Sequence, residues 1–170
     1  MVGTIRIIAL LVALAAPATT NQAFAASAII KVNAKATKPL TLTRVQDLDL
    51  GTIVLAPGTW SGAAISISQA GVFSCPNPNT SCTGAPLVAT YNVSGSNNEV
   101  VKVTAPNVTL TNQSDPTQTL VLVVDSPSSV TLATGGKKGT NFSIGGSITL
   151  DSATAGGLYA GTFDVTVDYN

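Results

Sequence analysis

The chain has 170 residues, eight Lys and Arg against eight Asp and Glu, no histidine, and only 9% charged residues. A neutral, charge-poor chain offers no electrostatic footprint for nucleic acid or an acidic membrane surface. The missing histidine excludes Ser-His-Asp and Cys-His catalysis and histidine-ligated metals, and the length suits one domain.

Residues 1–6 carry one positive charge, residues 7–16 run apolar without a break, and Ala23-Phe24-Ala25 is a small-x-small signal. That order predicts a secretory signal peptide over 1–25, since the apolar run is too short to span a bilayer. No cysteine stands at the cleavage site, which excludes a bacterial lipoprotein, and no later segment reaches 18 apolar residues. The expectation is an exported chain without a membrane span.

An N-terminal strand is predicted over 26–37. Ala28, Ile30, Val32, Ala34 and Ala36 alternate with Ile29, Lys31, Asn33, Lys35 and Thr37, and successive strand side chains face opposite sides. Such a strand must bury its apolar face, either in its own domain or on the open sheet edge of another copy. Periodicity does not separate the two, and composition alone favours the intramolecular case.

The remainder, 38–170, reads as one β domain. Strands are predicted over 40–43, 48–55 (broken by Gly51), 64–68, 87–93, 99–104, 108–111, 119–124, 130–133, 142–150 and 158–169. Turn chemistry at Ala56-Pro57-Gly58, Asp125-Ser126-Pro127 and Thr134-Gly135-Gly136 separates them. The pattern fits an all-β, immunoglobulin-like sandwich, with a jelly roll as the second architecture. Cys75 and Cys82 flank a Pro/Asn loop, and in an exported chain they are expected to form a disulfide. Closing so short a loop contributes about 2–3 kcal/mol.

Other local patterns carry less chemistry. Asp47-Leu48-Asp49 lacks the oxygen-rich spacing of a calcium loop and reads as a polar turn. Gly135-Gly136-Lys137-Lys138-Gly139 lacks the Walker spacing and reads as a hairpin tip. Trp60, the sole tryptophan, is either a sugar-stacking platform or an aromatic of the loop or core. The closing segment alternates Tyr159, Gly161, Phe163, Val165, Val167 and Tyr169 with small or polar residues. Asp164 and Asp168 then share the wet face, where nothing perturbs them into an acid–base pair. No catalytic residues, metal site or cofactor are expected, and the chain is not read as an enzyme.

Four segments in order carry a resemblance: Lys38-Pro-Leu-Thr-Leu-Thr43, Asp47-Leu-Asp-Leu-Gly-Thr-Ile-Val54, Gly145-Gly-Ser-Ile-Thr-Leu150, and the ending from Gly157 to Asn170. Over roughly 38–170 the chain resembles a family of exported bacterial β-sandwich proteins similar to chaperone–usher pilins and spore-coat-U-like proteins. The resemblance implies a pilin-like sandwich that lacks one strand and is completed by donor-strand exchange. It implies Ala28, Ile30, Val32 and Ala34 as donor residues. It implies Gly161, Phe163, Val165, Val167 and Tyr169 as one wall of the acceptor groove. The implied partners are copies of itself or related subunits, a periplasmic chaperone and an outer-membrane usher, and the implied location is the cell surface. The competing expectation is a monomeric secreted module whose loops near Trp60 or Cys75 and Cys82 contact glycan or a host protein.

Overall fold

The structure, a computed structural model, describes residues 30–132 and 138–170. The expected signal peptide, Ala28 of the expected donor segment and residues 133–137 of the glycine-lysine loop lie outside these. The chain divides into two units after Lys35. In the first, residues 30–35 hold no regular secondary structure, and Ile30 and Val32 are 83% and 86% exposed. An alternating sequence becomes a strand only where a neighbouring edge satisfies its backbone donors and acceptors.

The second unit, Ala36–Asn170, is an all-β antiparallel sandwich with no helix among its described residues. It opens with β1 (Thr41–Gln46), β2 (Thr52–Leu55), β3 (Ala63–Ile67), and the short β4 (Phe73–Ser74) and β5 (Thr80–Thr83). Then come β6 (Ala89–Ser94), β7 (Val100–Thr104), β8 (Val108–Asn112), β9 (Thr119–Asp125) and β10 (Ser129–Thr131). β11 (Thr140–Leu150), β12 (Tyr159–Ala160) and β13 (Thr166–Tyr169) close the chain. The period of two decides which way each strand faces. β7 buries Val101 and Val103 and exposes Val100, Lys102 and Thr104; β3 buries Ala63, Ile65 and Ile67.

The main sheet runs β1-β6-β11-β9-β8-β12, with β3 beside β11 and β4 beyond β3. A second sheet runs β10-β7-β13, and β2 and β5 form a separate ribbon. β11 organises the domain. Its first half pairs with β6, its second half with β3, and Gly145, Gly146 and Ser147 pair with β9. The two glycines sit where the partner changes. A Cβ at Gly145 would strike the Ile67 carbonyl oxygen, and one at Gly146 would lie 2.9 Å from Leu122 Cδ1. Close approach of two backbones leaves room only for glycine.

The core has two connected parts. Ala89, Val93, Val101, Val103, Phe142 and Ile144 form one, between β6 and β11 of the main sheet and β7 of the second. Ala63, Ile65, Leu122, Ile148 and Leu150 form the other. Leu48, Val124 and Phe163 pack against both, so the interior is continuous.

The single closing strand expected over 158–169 is corrected. β12 pairs with β8 in the main sheet, residues 161–165 are in no strand, and β13 pairs with β7 in the second sheet. Burial still alternates from Phe163 to Tyr169. Periodicity reports which way a side chain faces, and it is blind to which sheet pairs with the backbone.

Candidate functional site: an open apolar groove

A groove of about 750 Å³ opens along the second unit. Two stretches flank it: residues 44–55, spanning the end of β1 and all of β2, and residues 154–163, spanning β12 and its approaches. Between them lie Leu110, Leu120, Leu122, Ile148 and Leu150 from β8, β9 and β11. Leu122, Ile148 and Leu150 are buried core residues, so the groove opens directly over one part of the core. Leu48, Leu50, Ile53 and Leu55 supply apolar side chains from one flank and Phe163 from the other.

Local chemistry builds the flanks. Gly51 turns the chain at a φ of 75°, with its N–H donating to Asp49 Oδ1 at 2.8 Å, and Asp49 and Leu87 exchange backbone bonds at 2.8 Å. The opposite flank hangs on Asn112, which is 1% exposed. Its Nδ2 donates to the Gly156 carbonyl at 3.1 Å, and its Oδ1 accepts from the N–H groups of Ser114 and Asp115 at 2.9 and 3.3 Å. A Cβ at Gly157, whose φ is 146°, would lie 2.5 Å from both polar atoms of that amide. The Gln113 N–H adds a 2.8 Å bond to the Leu158 carbonyl, and the Tyr159 hydroxyl donates to the Ala155 carbonyl at 2.9 Å.

The flanks of the groove carry sheet edges. Among the described residues, β1 and β12 each have a hydrogen-bonded neighbour on one side only. An edge of this kind is a template for an added strand.

Of the residues expected to form an acceptor wall, Gly161 and Phe163 line the groove. Val165, Val167 and Tyr169 instead pack against the Val93 and Val101 part of the core. The flank from 44 to 55 was expected only as a strand and a polar turn. Asn112 carries no sequence signal, being one asparagine in a chain rich in Asn and Thr.

Charge gathers at one end of the groove. Arg44 and Asp47 form an exposed ion pair at 2.8 Å, worth little to stability. Burial holds the Tyr91 hydroxyl above its ordinary range; Arg44 pulls it down, while Asp47 and Asp164 push it up. Asp47 and Asp164 therefore act on the same place from the two flanks.

The disulfide forms between Cys75 and Cys82, and both sulfurs pack against the Ile65 and Leu122 part of the core. Cys82 lies opposite Ile53 in the β2–β5 ribbon. Trp60 packs on the same core, and its Nε1 donates to the Ala56 carbonyl at 2.9 Å. Its ring and N–H are thus engaged within the fold. Among the described residues no cluster of His, Cys, Asp and Glu could hold a metal, and no helix is long and apolar enough to cross a membrane.

No curated protein and no solved structure matches the chain. The profile of the family described as Domain of unknown function (DUF4402) matches residues 40–169, from the start of β1 to the end of β13. The match takes in both flanks of the groove and every strand of the sandwich, and the chain belongs to that family.

Proposed function

We propose that the protein is a non-catalytic structural subunit of a pilus-like surface fibre, assembled by β-strand complementation between subunits. The N-terminal segment of one copy, with Ala28, Ile30, Val32 and Ala34 on its apolar face, fills the groove of the next. The observation that carries this reading is the open groove itself: an apolar base over one part of the core, flanked by strands with unpaired edges. An added strand satisfies those edges with backbone hydrogen bonds while alternate side chains cover the leucines below. Each buried Ile or Val contributes roughly 1.5–3 kcal/mol. The immunoglobulin-like sandwich is then one strand short in the isolated chain. The disulfide is compatible with export, and before assembly a periplasmic chaperone covers the groove and an outer-membrane usher receives the subunit.

The test compares mature protein with and without residues 26–36 on denaturing gels, unheated and boiled. Complementation between copies predicts ladders that collapse on boiling and require the segment. A stable monomer that keeps the segment, paired with an unstable one that lacks it, means self-complementation and overturns the fibre.

A further inference from the structure

We infer that the groove selects its occupant by charge, its acidic end taking the lysine-bearing N-terminal segment of a second copy of this chain. The inference rests on the strand-complementation reading and adds to it which strand is chosen.

The charged residues lining the groove are Arg44, Asp47 and Asp49. Asp164 follows Phe163 on the opposite flank, and its charge, like that of Asp47, is felt at the Tyr91 hydroxyl. Three carboxylates against one guanidinium leave this end negative, and among the described residues no lysine lines the groove. The N-terminal segment is its counterpart. Between Ile30, Val32 and Ala34 it carries Lys31, Asn33 and Lys35, and it has no acidic residue.

In a strand these two sets face opposite ways. With Ile30, Val32 and Ala34 turned to the leucines of the base, Lys31 and Lys35 stand at the mouth. Their long flexible stems let the ammonium groups reach toward Asp47, Asp49 and Asp164. Shape alone accepts any alternating apolar strand, and most strands of this chain alternate. Opposite charge favours one of them, speeds its capture, and repels strands bearing Asp on their polar face, such as β13 with Asp168. Exposed pairs contribute little to final stability, so the signature is kinetic and salt-dependent.

The probe is a fluorescent synthetic peptide of residues 26–38, added to the full mature chain and followed by anisotropy. A second peptide carries Lys31→Glu and Lys35→Glu. At about 20 mM salt the reversed peptide should associate about tenfold more slowly, and the difference should close near 0.5 M salt, where screening is nearly complete. Protein carrying Asp47→Lys and Asp164→Lys should invert the preference. Both positions are exposed, so the fold is retained, which circular dichroism checks. Equal association of the two peptides at both salt concentrations overturns charge selection and leaves strand complementation standing. Binding of neither peptide overturns strand complementation and the charge inference with it.

Discussion

The hydroxyl of Tyr169 donates to the carbonyl oxygen of Lys38 at 2.6 Å, joining residues 131 positions apart. The Tyr169 hydroxyl oxygen in turn accepts from the Ser96 N–H at 2.8 Å, and the Lys38 N–H donates to Ser96 Oγ at 2.7 Å. The end of β13 is thereby fixed to the start of the domain and to the β6–β7 turn. Tyr169→Phe keeps the ring and deletes both bonds, leaving two backbone groups to find water. A loss of about 1–2 kcal/mol is expected in urea unfolding. An unchanged midpoint would mean the hydroxyl bonds are replaced by solvent at no cost.

Gly145→Ala tests the crossing of β11. The added methyl meets the Ile67 carbonyl, and Gln69 holds Asp125 beside it through bonds of 2.6 and 3.2 Å. Neither strand can retreat without opening the core, so a loss of about 2 kcal/mol or more is expected. Ser143→Ala, half-buried on the same strand, serves as the control and should cost far less.

Asn112→Ala removes the amide that holds the 154–163 flank. Leaving the Gly156 carbonyl and two N–H groups unmet should cost about 2–3 kcal/mol. Hydrogen exchange should show faster opening at residues 155–158 than at β7, because only the flank loses its anchor.

Reduction, or Cys75→Ser with Cys82→Ser, should lower stability by about 2–3 kcal/mol in urea titrations. Because Cys82 faces Ile53 across the ribbon, the same variant should exchange faster at β2 and leave β13 unchanged.

Stability should also fall in alkali through Tyr91. Burial raises its pKa above the ordinary 10.0, so the unfolded chain ionises first. The contribution is whole below that pH and is lost as pH rises through the folded value. Tyr91→Phe keeps the ring stacked on Phe142, 5.7 Å away. As pH rises through and above the ordinary tyrosine value, the variant should therefore lose less stability than the parent.

Much of the sandwich is legible before folding. β3, β7 and β11 alternate Val, Ile and Leu with Ser, Thr and Lys, and β9 is a short apolar run from Leu120 to Val124 bounded by turn residues. β4 and β5 are not legible, since Phe73-Ser74 is two residues and Thr80–Thr83 has no aliphatic side chain. The break after Ala160 is equally silent, because changing sheets leaves inward and outward facing unaltered. The groove belongs to no single segment. Leu50 and Ile53 look like core residues in sequence, and only the placement of residues 154–163 opposite them makes a cleft. Asn112 becomes special through Gly156 and Gly157, 44 and 45 positions later.

The place of β11 in the sheet also sets a timetable for folding. β6 has only β1, and β3 only β4, until residues 140–150 exist to join them. A ribosome or secretion channel that has delivered the first 139 residues has therefore delivered open edges, with the apolar faces of Ile65, Ile67 and Val93 uncovered. Pairings this distant in sequence close slowly, and chains waiting for them aggregate. The window of danger narrows when a single late strand arrives, which joins both halves of the core at once, and it closes when Phe163 and β13 pack on them.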